Sequence, residues 1–583
     1  MILTENINVL QASLIIEECC RNGIDTFFLA PGARCSPLTL AVARHPDARA
    51  VQHLDERGLG FAALGYARAT GRPGVVITTS GTAVSNLHPS VTEAFMDAQP
   101  MLLLTADRPP ELRDTGANQT IDQVHHFGSQ TVWHQDIPCP CTQISPAVIL
   151  TTLNLALHHT RRGPVHLNCM FRDPLGPQPD RTDSEAHLLP VQTWLHNRQP
   201  FTTYRKPTLD LDELTAVEIE ELLSSQTRVI VIVGGGLTES EALAVLQLAA
   251  KRHWPVLSDV CSGLHFGPQR TGVVRHIDSL LSPEGFPPEL QPETVLQFGP
   301  RFLSKNLLQA LSTSTLKAWI HVSDRPGRFD PLHRLTHRFQ VRIDGFCMQI
   351  ERASGEPADP RWREVWLQTD QEIDQHLTET LDKNERITEP GVLRAVSRWL
   401  PGLHGLFLGA SMPVRDMNRF AARNPNPIHV AANRGASGID GTIASAAGFA
   451  RGLNRPVTLT LGDLTALHDL NSLALLANPR ISLIIVILNN HGGGIFHFLP
   501  MADNSPEFET FWGTPHTWTF EHAAALFNLP YAKPKTMDEF HDTYRDALDN
   551  AVSCIIEVET DRRQNLLDHQ ALAETLPLSQ PSR

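Results

Sequence analysis

Basic residues are in deficit: 49 Lys and Arg stand against 63 Asp and Glu, a formal net charge of −14. Such a chain has no global field for gathering nucleic acid phosphates, so no nucleic acid partner is expected, and any anion must be met by a local cluster of Arg and Lys. Cysteine is sparse as well. The nine lie scattered at 19, 20, 35, 139, 141, 169, 261, 347 and 554, which excludes a disulfide framework. Cys139-Pro140-Cys141 lacks a second ligand pair at zinc spacing. No long hydrophobic run exists either. The longest, over 481–488, falls far short of the roughly 20 residues that cross a bilayer; it reads as a buried strand, and no membrane insertion is expected. The opening MILTENINVLQASLIIEE has an early acid and no basic residue before Arg21, unlike a signal or transit peptide. The expected compartment is the cytoplasm.

What is present is the material of several folded domains. At roughly 150 residues per domain, 583 residues make three or four compact units. From residue 8 to 107 short apolar runs alternate with helical patterns. The pattern predicts helices near 9–20, after 36, near 58–69 and from 83, and strands at 26–30, 50–54, 74–79 and 101–105. That rhythm is a parallel sheet covered by helices. Residues 174–207 are rich in Pro, Gln, Asp and Arg with little periodicity, which suits a linker. A second α/β pattern opens with RVIVIVGGG at 228–236 and continues through strands near 256, 294–298 and 318–322; a third follows a polar segment near 353–389, with strands near 406–408, 428–431, 457–461 and 483–488. The expectation is three consecutive α/β domains with parallel sheets, over 1–180, 205–355 and 380–583.

Ligands of open parallel sheets bind beyond the carboxyl ends of the strands. In the first block those ends read APGAR (30–34), LDERG (54–58), TSGTA (79–83) and TADRPP (105–110). In the third they read GASMPVR (409–415), NRGASGIDG (433–441), GDLTALHDL (462–470) and NNHGGGIF (489–496). Gly462-Asp463 ends one apolar strand and opens a helix; 27 residues after Asp463, Asn490 closes the next strand. Both side chains are oxygen donors that converge above one sheet edge. Mg²⁺ takes one or two protein oxygens together with phosphate oxygens and water. Asp463 and Asn490 supply two, and the flexible glycines at 492–494 can turn a backbone carbonyl inward for a third, while the helix opening at Asp463 offers free amides to a diphosphate. Taken singly, Gly-Asp is also a plain helix start and Asn-Asn-His-Gly a plain turn.

The Asp463 and Asn490 pair, each at a strand end, resembles the signature of thiamine diphosphate (ThDP) enzymes. The resemblance implies pyrimidine-binding, middle and diphosphate-binding domains, with ThDP and Mg²⁺ as cofactors and Mn²⁺ an allowed substitute. Gly462, Asp463, Leu464, Asn490, Gly492 and Ile495 then line the diphosphate and metal site; Leu464 stands where many members carry Gly. ThDP needs a carboxylate to hydrogen-bond its aminopyrimidine. In HLDERGLGFAALGYARATG (53–71), Glu56 occupies the place this superfamily gives to that acid, as the catalytic residue. Ile439 resembles the apolar wedge that bends the cofactor, although a core role fits it equally. Because Glu56 and Asp463 fall in different domains, the resemblance implies a homo-oligomer, dimer or tetramer, with its active sites at subunit interfaces.

A narrower resemblance rests on APGARCSPLTLA, HLDERGLGFAALG, TSGTAVSNLHP, LLTADRPPELRDTGANQTI, NRGASGIDG, GDLTALHDLNSLALL and NNHGGGIFHFLP, which cover both outer domains. Together they are similar to the menaquinone-pathway 2-succinyl-5-enolpyruvyl-6-hydroxy-3-cyclohexene-1-carboxylate synthases. That family decarboxylates 2-oxoglutarate and adds the succinyl carbanion equivalent to isochorismate. Polycarboxylate substrates call for guanidinium forks, which bind carboxylate oxygens in pairs. The resemblance implies Ser411, Arg415 and Arg434 for the 2-oxoglutarate-derived part, and Arg34, Arg108, Asn118, Gln119 and Lys305 for isochorismate. Ile495, Phe496 and Leu499 form an apolar wall. Ala33 stands where many members carry Ser, so a hydroxyl is missing beside Arg34.

Three other readings stay open at this stage, one of them noncatalytic, with the second block as an effector-binding or scaffolding module. Another ThDP-dependent 2-oxoacid decarboxylase or carboligase, such as an acetolactate synthase, shares the cofactor signature; the Arg-rich loops argue against its small, singly charged substrates. An NAD-binding oxidoreductase is suggested by Gly234-Gly235-Gly236 after a strand, but Glu239 occupies the final glycine position of G-x-G-x-x-G.

Overall fold

The structure, a computed structural model, describes residues 2–205, 207–224, 226–268, 272–281, 284–352, 358–478 and 480–576. The expected domain limits at 1, 355 and 583, part of the polar segment and one residue of the proposed linker lie outside them.

Among the described residues, eighteen strands form three six-stranded sheets. The first contains β1 (Thr26–Leu29), β2 (Arg49–Gln52), β3 (Gly74–Thr78), β4 (Met101–Asp107), β5 (Trp133–Ile137) and β6 (Pro164–Met170). The second contains β7 (Val229–Val233), β8 (Val256–Ser258), β9 (Val273–Val274), β10 (Thr294–Phe298), β11 (Ala318–Val322) and β12 (His337–Phe339). The third contains β13 (Gly405–Leu408), β14 (His429–Ala432), β15 (Val457–Gly462), β16 (Leu483–Asn489), β17 (Tyr531–Ala532) and β18 (Cys554–Glu559). Strands β3, β4, β7, β10 and β16 near the centres of these sheets are buried along their whole length, and the pairs β3–β4, β7–β10 and β16–β18 run parallel. This is the α/β architecture expected from the sequence.

The strand orders carry information that sequence periodicity does not. The first sheet runs β2-β1-β3-β4-β6-β5 and the third β14-β13-β15-β16-β18-β17, the same topology twice. The second runs β12-β11-β10-β7-β8-β9, the doubly wound order of nucleotide-binding folds. In the first and third sheets the order reverses between β1 and β3 and between β13 and β15. Crevices therefore open beside APGAR and TSGTA in one sheet, and beside GASMPVR and GDL in the other.

By packing, the chain divides into two compact units. One holds Met1–Lys206, Asn433–Val457 and Thr465–Leu483; the other holds Pro207–Ala432, Thr458–Leu464 and Ile484–Arg583. In the first unit, helix Glu56–Thr70 starts at an Asp55 cap that accepts the Arg57 N–H, and stops at left-handed Gly71. It lies against helix Thr442–Leu453 so closely that a Cβ on Gly65 would sit 1.9 Å from the Ser445 carbonyl oxygen, and one on Gly448 1.9 Å from that of Ala62. Only glycine allows that contact.

Several local expectations change. The single helix from 83 is two, Thr82–Ser85 and His88–Met96, because Pro89 has no N–H to continue the first and is accommodated in the opening turn of the second. The linker over 174–207 is not open chain where described: Trp194 packs with Leu10, Leu14 and Leu150, and its Nε1 donates to Glu18 at 2.6 Å. The polar segment near 353–389 contains helix Pro360–Thr380, which buries Trp362, Trp366, Ile373 and Leu377 on one face in the core shared with Trp319.

Candidate active site

The C-terminal edge of the third sheet gathers the residues that sequence assigned to the metal. Asp463, 2% exposed, opens helix Asp463–His468 directly after β15. Its Oδ1 accepts the Leu464 N–H at 2.6 Å, and its Oδ2 accepts the Gly492 N–H at 2.8 Å and His516 Nε2–H at 3.1 Å. The His516 tautomer follows from its other nitrogen, since Nδ1 accepts the Trp518 N–H at 3.2 Å. Burial raises the Asp463 pKa against these donors, so the pocket disfavours a bare charge there and favours one matched by a cation.

Asn490, at the end of the neighbouring strand, donates from Nδ2 to Glu389 Oε1 at 2.9 Å. Its Oδ1 is buried and has no hydrogen-bond partner among the described residues. A buried amide oxygen without a donor is costly, and a divalent cation beside Asp463 removes that cost. The residues present therefore fit Mg²⁺, a hard ion that takes oxygen ligands. Gly492 has φ +146°, and a Cβ there would lie 2.2 Å from the Gly513 carbonyl oxygen. Its N–H holds Asp463, and its carbonyl accepts the Gly494 N–H at 3.0 Å, keeping a second lone pair. The Gly462 position faces open space, room for a diphosphate at the helix start. Ile495 and Phe496 are half-buried in helix Gly494–Phe498, and Leu499 is exposed just beyond it.

Ser411 precedes helix Met412–Phe420 at φ +70°, and Arg415 Nη1 donates to the Ser411 carbonyl, drawing the guanidinium back over the loop. Lys305 is exposed at the first turn of helix Lys305–Thr313, where a cation opposes the helix dipole.

In the first unit, Glu56 is the first residue of its helix and half-buried; among the described residues its carboxylate takes no side-chain hydrogen bond or ion pair. Arg34 and Arg108 are both buried. Arg34 donates to the Phe171 carbonyl at 2.9 Å, and Arg108 to the Gln119 carbonyl at 2.9 Å. Burial, and next the charge of Arg34, lower the Arg108 pKa, so two cations share one edge of the sheet with their charge only partly compensated. Asn118 and Gln119 lie exposed in the adjoining loop, and Gln119 Nε2 donates to the Ser80 carbonyl at 2.8 Å. Arg434 and Ile439 sit in the loop before helix Thr442–Leu453. Ile439 is 37% exposed, so it is not a core residue.

Sequence reasoning missed the groups behind these loops. Glu389, His516 and Glu93 carry no motif; each is recognised only when folding brings it to a backbone amide or a site side chain. Among the described residues no group of three His, Cys, Asp or Glu is arranged for a metal, and all nine cysteines are free. The dinucleotide reading of 234–236 also loses support, since a Cβ on Gly234 would lie 2.0 Å from the Arg301 carbonyl oxygen: that turn serves internal packing.

Three family models match in order. "Thiamine pyrophosphate enzyme, N-terminal TPP binding domain" covers residues 11–126, "Middle domain of thiamine pyrophosphate" covers 185–408, and "Thiamine pyrophosphate enzyme, C-terminal TPP binding domain" covers 410–558. Fold and site thus define a ThDP-dependent enzyme. The chain is 45% identical over 572 residues to a 2-succinyl-5-enolpyruvyl-6-hydroxy-3-cyclohexene-1-carboxylate synthase of Rubrobacter xylanophilus, covering 98% of each chain. It is 42% identical to the synthase of Salinibacter ruber (97% of this chain, 96% of that protein) and 41% identical to that of Pelodictyon phaeoclathratiforme (97% and 95%). The chain belongs to the 2-succinyl-5-enolpyruvyl-6-hydroxy-3-cyclohexene-1-carboxylate synthase family.

Proposed function

We propose that this enzyme decarboxylates 2-oxoglutarate and adds the succinyl carbanion equivalent to isochorismate, with ThDP held through Mg²⁺, in menaquinone or phylloquinone biosynthesis. The observation that carries the cofactor part is the buried, unpartnered Asn490 oxygen beside a strand-end Asp463 fixed by three N–H donors. Bound ThDP supplies an electron sink for loss of CO2 from a 2-oxo acid and a nucleophilic carbon for the acceptor. Asp463 and Asn490, with the Gly492 backbone, hold the cation; Gly462, Leu464 and the helix amides receive the diphosphate. Glu56 holds a proton at the pyrimidine ring nitrogen, Ile439 is the apolar wedge against the cofactor, and Ile495 forms an apolar wall with Phe496 and Leu499.

Arg415, Arg434 and Ser411 hold the donor's carboxylates. Arg34, Arg108, Asn118, Gln119 and Lys305 hold isochorismate, while Phe496 and Leu499 exclude water. Guanidinium forks suit these substrates because each brings two or more carboxylate charges into a partly desolvated site. The outer blocks, 1–180 and 380–583, act as pyrimidine- and diphosphate-binding domains, and 205–355 is the middle domain. The active unit is a homo-oligomer in which Glu56 of one subunit serves the metal loop of its partner. Among the described residues no helix is long and apolar enough to cross a membrane, and free thiols suit a reducing cytoplasm.

The test is to combine protein, ThDP, Mg²⁺ and 2-oxoglutarate, with and without isochorismate, and to follow CO2 and product mass, with pyruvate as the control donor. Turnover of 2-oxoglutarate into an isochorismate adduct supports the reading. Preferential use of pyruvate overturns it.

A further inference from the structure

The orientation of Asn490 is itself enforced. A primary amide presents two N–H donors on one side and an oxygen on the other, and the two ends have nearly the same shape, so only its neighbours decide which end faces a ligand. Here the neighbour is Glu389, 2% exposed, at the first position of helix Glu389–Trp399. Thr388 caps that helix by accepting the Gly391 N–H at 3.1 Å, and the helix start is a favourable place for an acid. Glu389 Oε1 accepts from Asn490 Nδ2 at 2.9 Å and from Thr560 Oγ1 at 3.0 Å, immediately beyond β18. Two donors from two neighbouring strand ends thus converge on one oxygen of a buried acid.

In this arrangement Glu389 Oε1 is the acceptor in both contacts. It draws the Asn490 nitrogen to itself, and Oδ1 is left facing the other way, buried and unpartnered. With the amide turned over, the NH₂ group would face the cation and the oxygen would face a carboxylate, two repulsive contacts in place of two attractive ones. Mg²⁺ requires near-octahedral oxygen ligands at short range, so an amide free to turn is a poor ligand for it.

We infer that Glu389 is the positioning residue of the cation centre, locking Asn490 in the one orientation that presents its oxygen to the metal. The inference rests on the proposal that Asn490 is a metal ligand. It adds a residue from outside both strand-end motifs, and gives a buried acid with no place in the chemistry a defined task.

The experiment titrates Mg²⁺ against ThDP binding, followed by calorimetry on the full-length protein without substrate. Glu389→Leu keeps similar bulk, removes the acceptor and leaves no buried charge behind. It is expected to raise the Mg²⁺ concentration for half-maximal ThDP binding by about 10–100-fold, the usual effect of losing a partner that orients a metal ligand. Glu389→Gln keeps an acceptor oxygen but has an amide that can itself turn, so its Mg²⁺ requirement is expected to fall between wild type and Glu389→Leu, which loss of packing alone does not predict. A folded Glu389→Leu with the wild-type Mg²⁺ requirement overturns the inference, provided Asn490→Ala has lost Mg²⁺-dependent binding. If Asn490→Ala also behaves as wild type, the ligand assignment fails, and the inference with it.

Should Glu389→Leu not fold, a crystal structure of the wild-type holoenzyme decides. Asn490 between Glu389 and the ion, nitrogen to the carboxylate and oxygen to the metal, supports the role. Asn490 turned away from Glu389 with the ion bound overturns it.

Discussion

The carboxylate of Glu93 accepts the backbone N–H of Gly435 at 2.7 Å, and it takes those of Ala436 and Ser437 at 2.6 and 3.1 Å as well. Arg68 pairs with the same carboxylate at 2.8 Å, and Glu93 is 2% exposed. A buried ion pair on helices Glu56–Thr70 and His88–Met96 therefore fixes the loop that carries Arg434 and Ile439, far along the chain.

Removing that anchor has two consequences. Glu93→Ala leaves three amides unpaired and Arg68 short of one partner, and should lower the free energy of unfolding by about 3 kcal/mol. The folded fraction should show a higher KM for 2-oxoglutarate, because the Arg434 loop is no longer fixed. Denaturant unfolding and initial rates check both; wild-type stability together with wild-type KM would show that the loop holds itself.

Arg415 lies one helical turn from Ser411 and reaches back to its carbonyl. Arg415→Ala removes a charge-assisted contact to a substrate carboxylate and should raise the KM for 2-oxoglutarate about tenfold or more, while ThDP affinity stays nearly unchanged. An unaltered KM removes Arg415 from the donor site.

The proposed assembly across subunits makes a prediction that a site confined to one chain does not. Glu56→Gln and Asp463→Ala should each lose most of the activity. A heterodimer of the two variants should recover activity, since one of its two shared sites then receives an intact Glu56 and an intact Asp463. Purified heterodimers without activity count against shared sites.

Burial holds His404 neutral: its pKa falls to about 4, beside Thr458 Oγ1 at 3.0 Å. The unfolded chain takes up a proton near pH 6.5 and the folded protein only near 4, so this residue's contribution is complete above pH 6.5 and is lost as the pH falls through that window. At pH 5 the loss is about 2 kcal/mol. Asp469, raised by burial to about 6, and Glu389, also raised by burial, act with the opposite sign, so the total pH profile mixes these contributions. The informative quantity is the difference between wild type and His404→Gln, whose unfolding free energy should lose about 2 kcal/mol less on going from pH 7.5 to 5. Parallel profiles would mean that His404 titrates alike in both states.

Much of this architecture was legible in the residues alone. The central strands of all three sheets stand out because burial on both faces makes them continuous apolar runs, as in 229–233 and 483–488. Asp463 and Asn490 stand out because glycines and polar residues follow such strands abruptly. The six strands that escaped notice did so for physical reasons: β5 is a half-exposed edge, β9 and β17 are two residues long, β12 is three residues long and only partly buried, β6 buries His166 and Asn168 within an otherwise apolar stretch, and β18 buries Glu557 in the same way. The supporting carboxylates escaped as well. Glu93 and Glu389 look like ordinary helix acids in sequence, and their roles depend on partners 342 and 101 residues away. Strand order was equally invisible, because the apolar pattern is the same whichever neighbour a strand takes.

The central claim is that Glu56 activates a cofactor anchored elsewhere, and it is tested most directly by one pair of measurements on Glu56→Gln: ThDP affinity, and CO2 release from 2-oxoglutarate. The account predicts affinity close to wild type and turnover reduced by about two orders of magnitude or more, as expected when a proton-holding group is lost. Wild-type turnover in a variant that binds ThDP normally would contradict it.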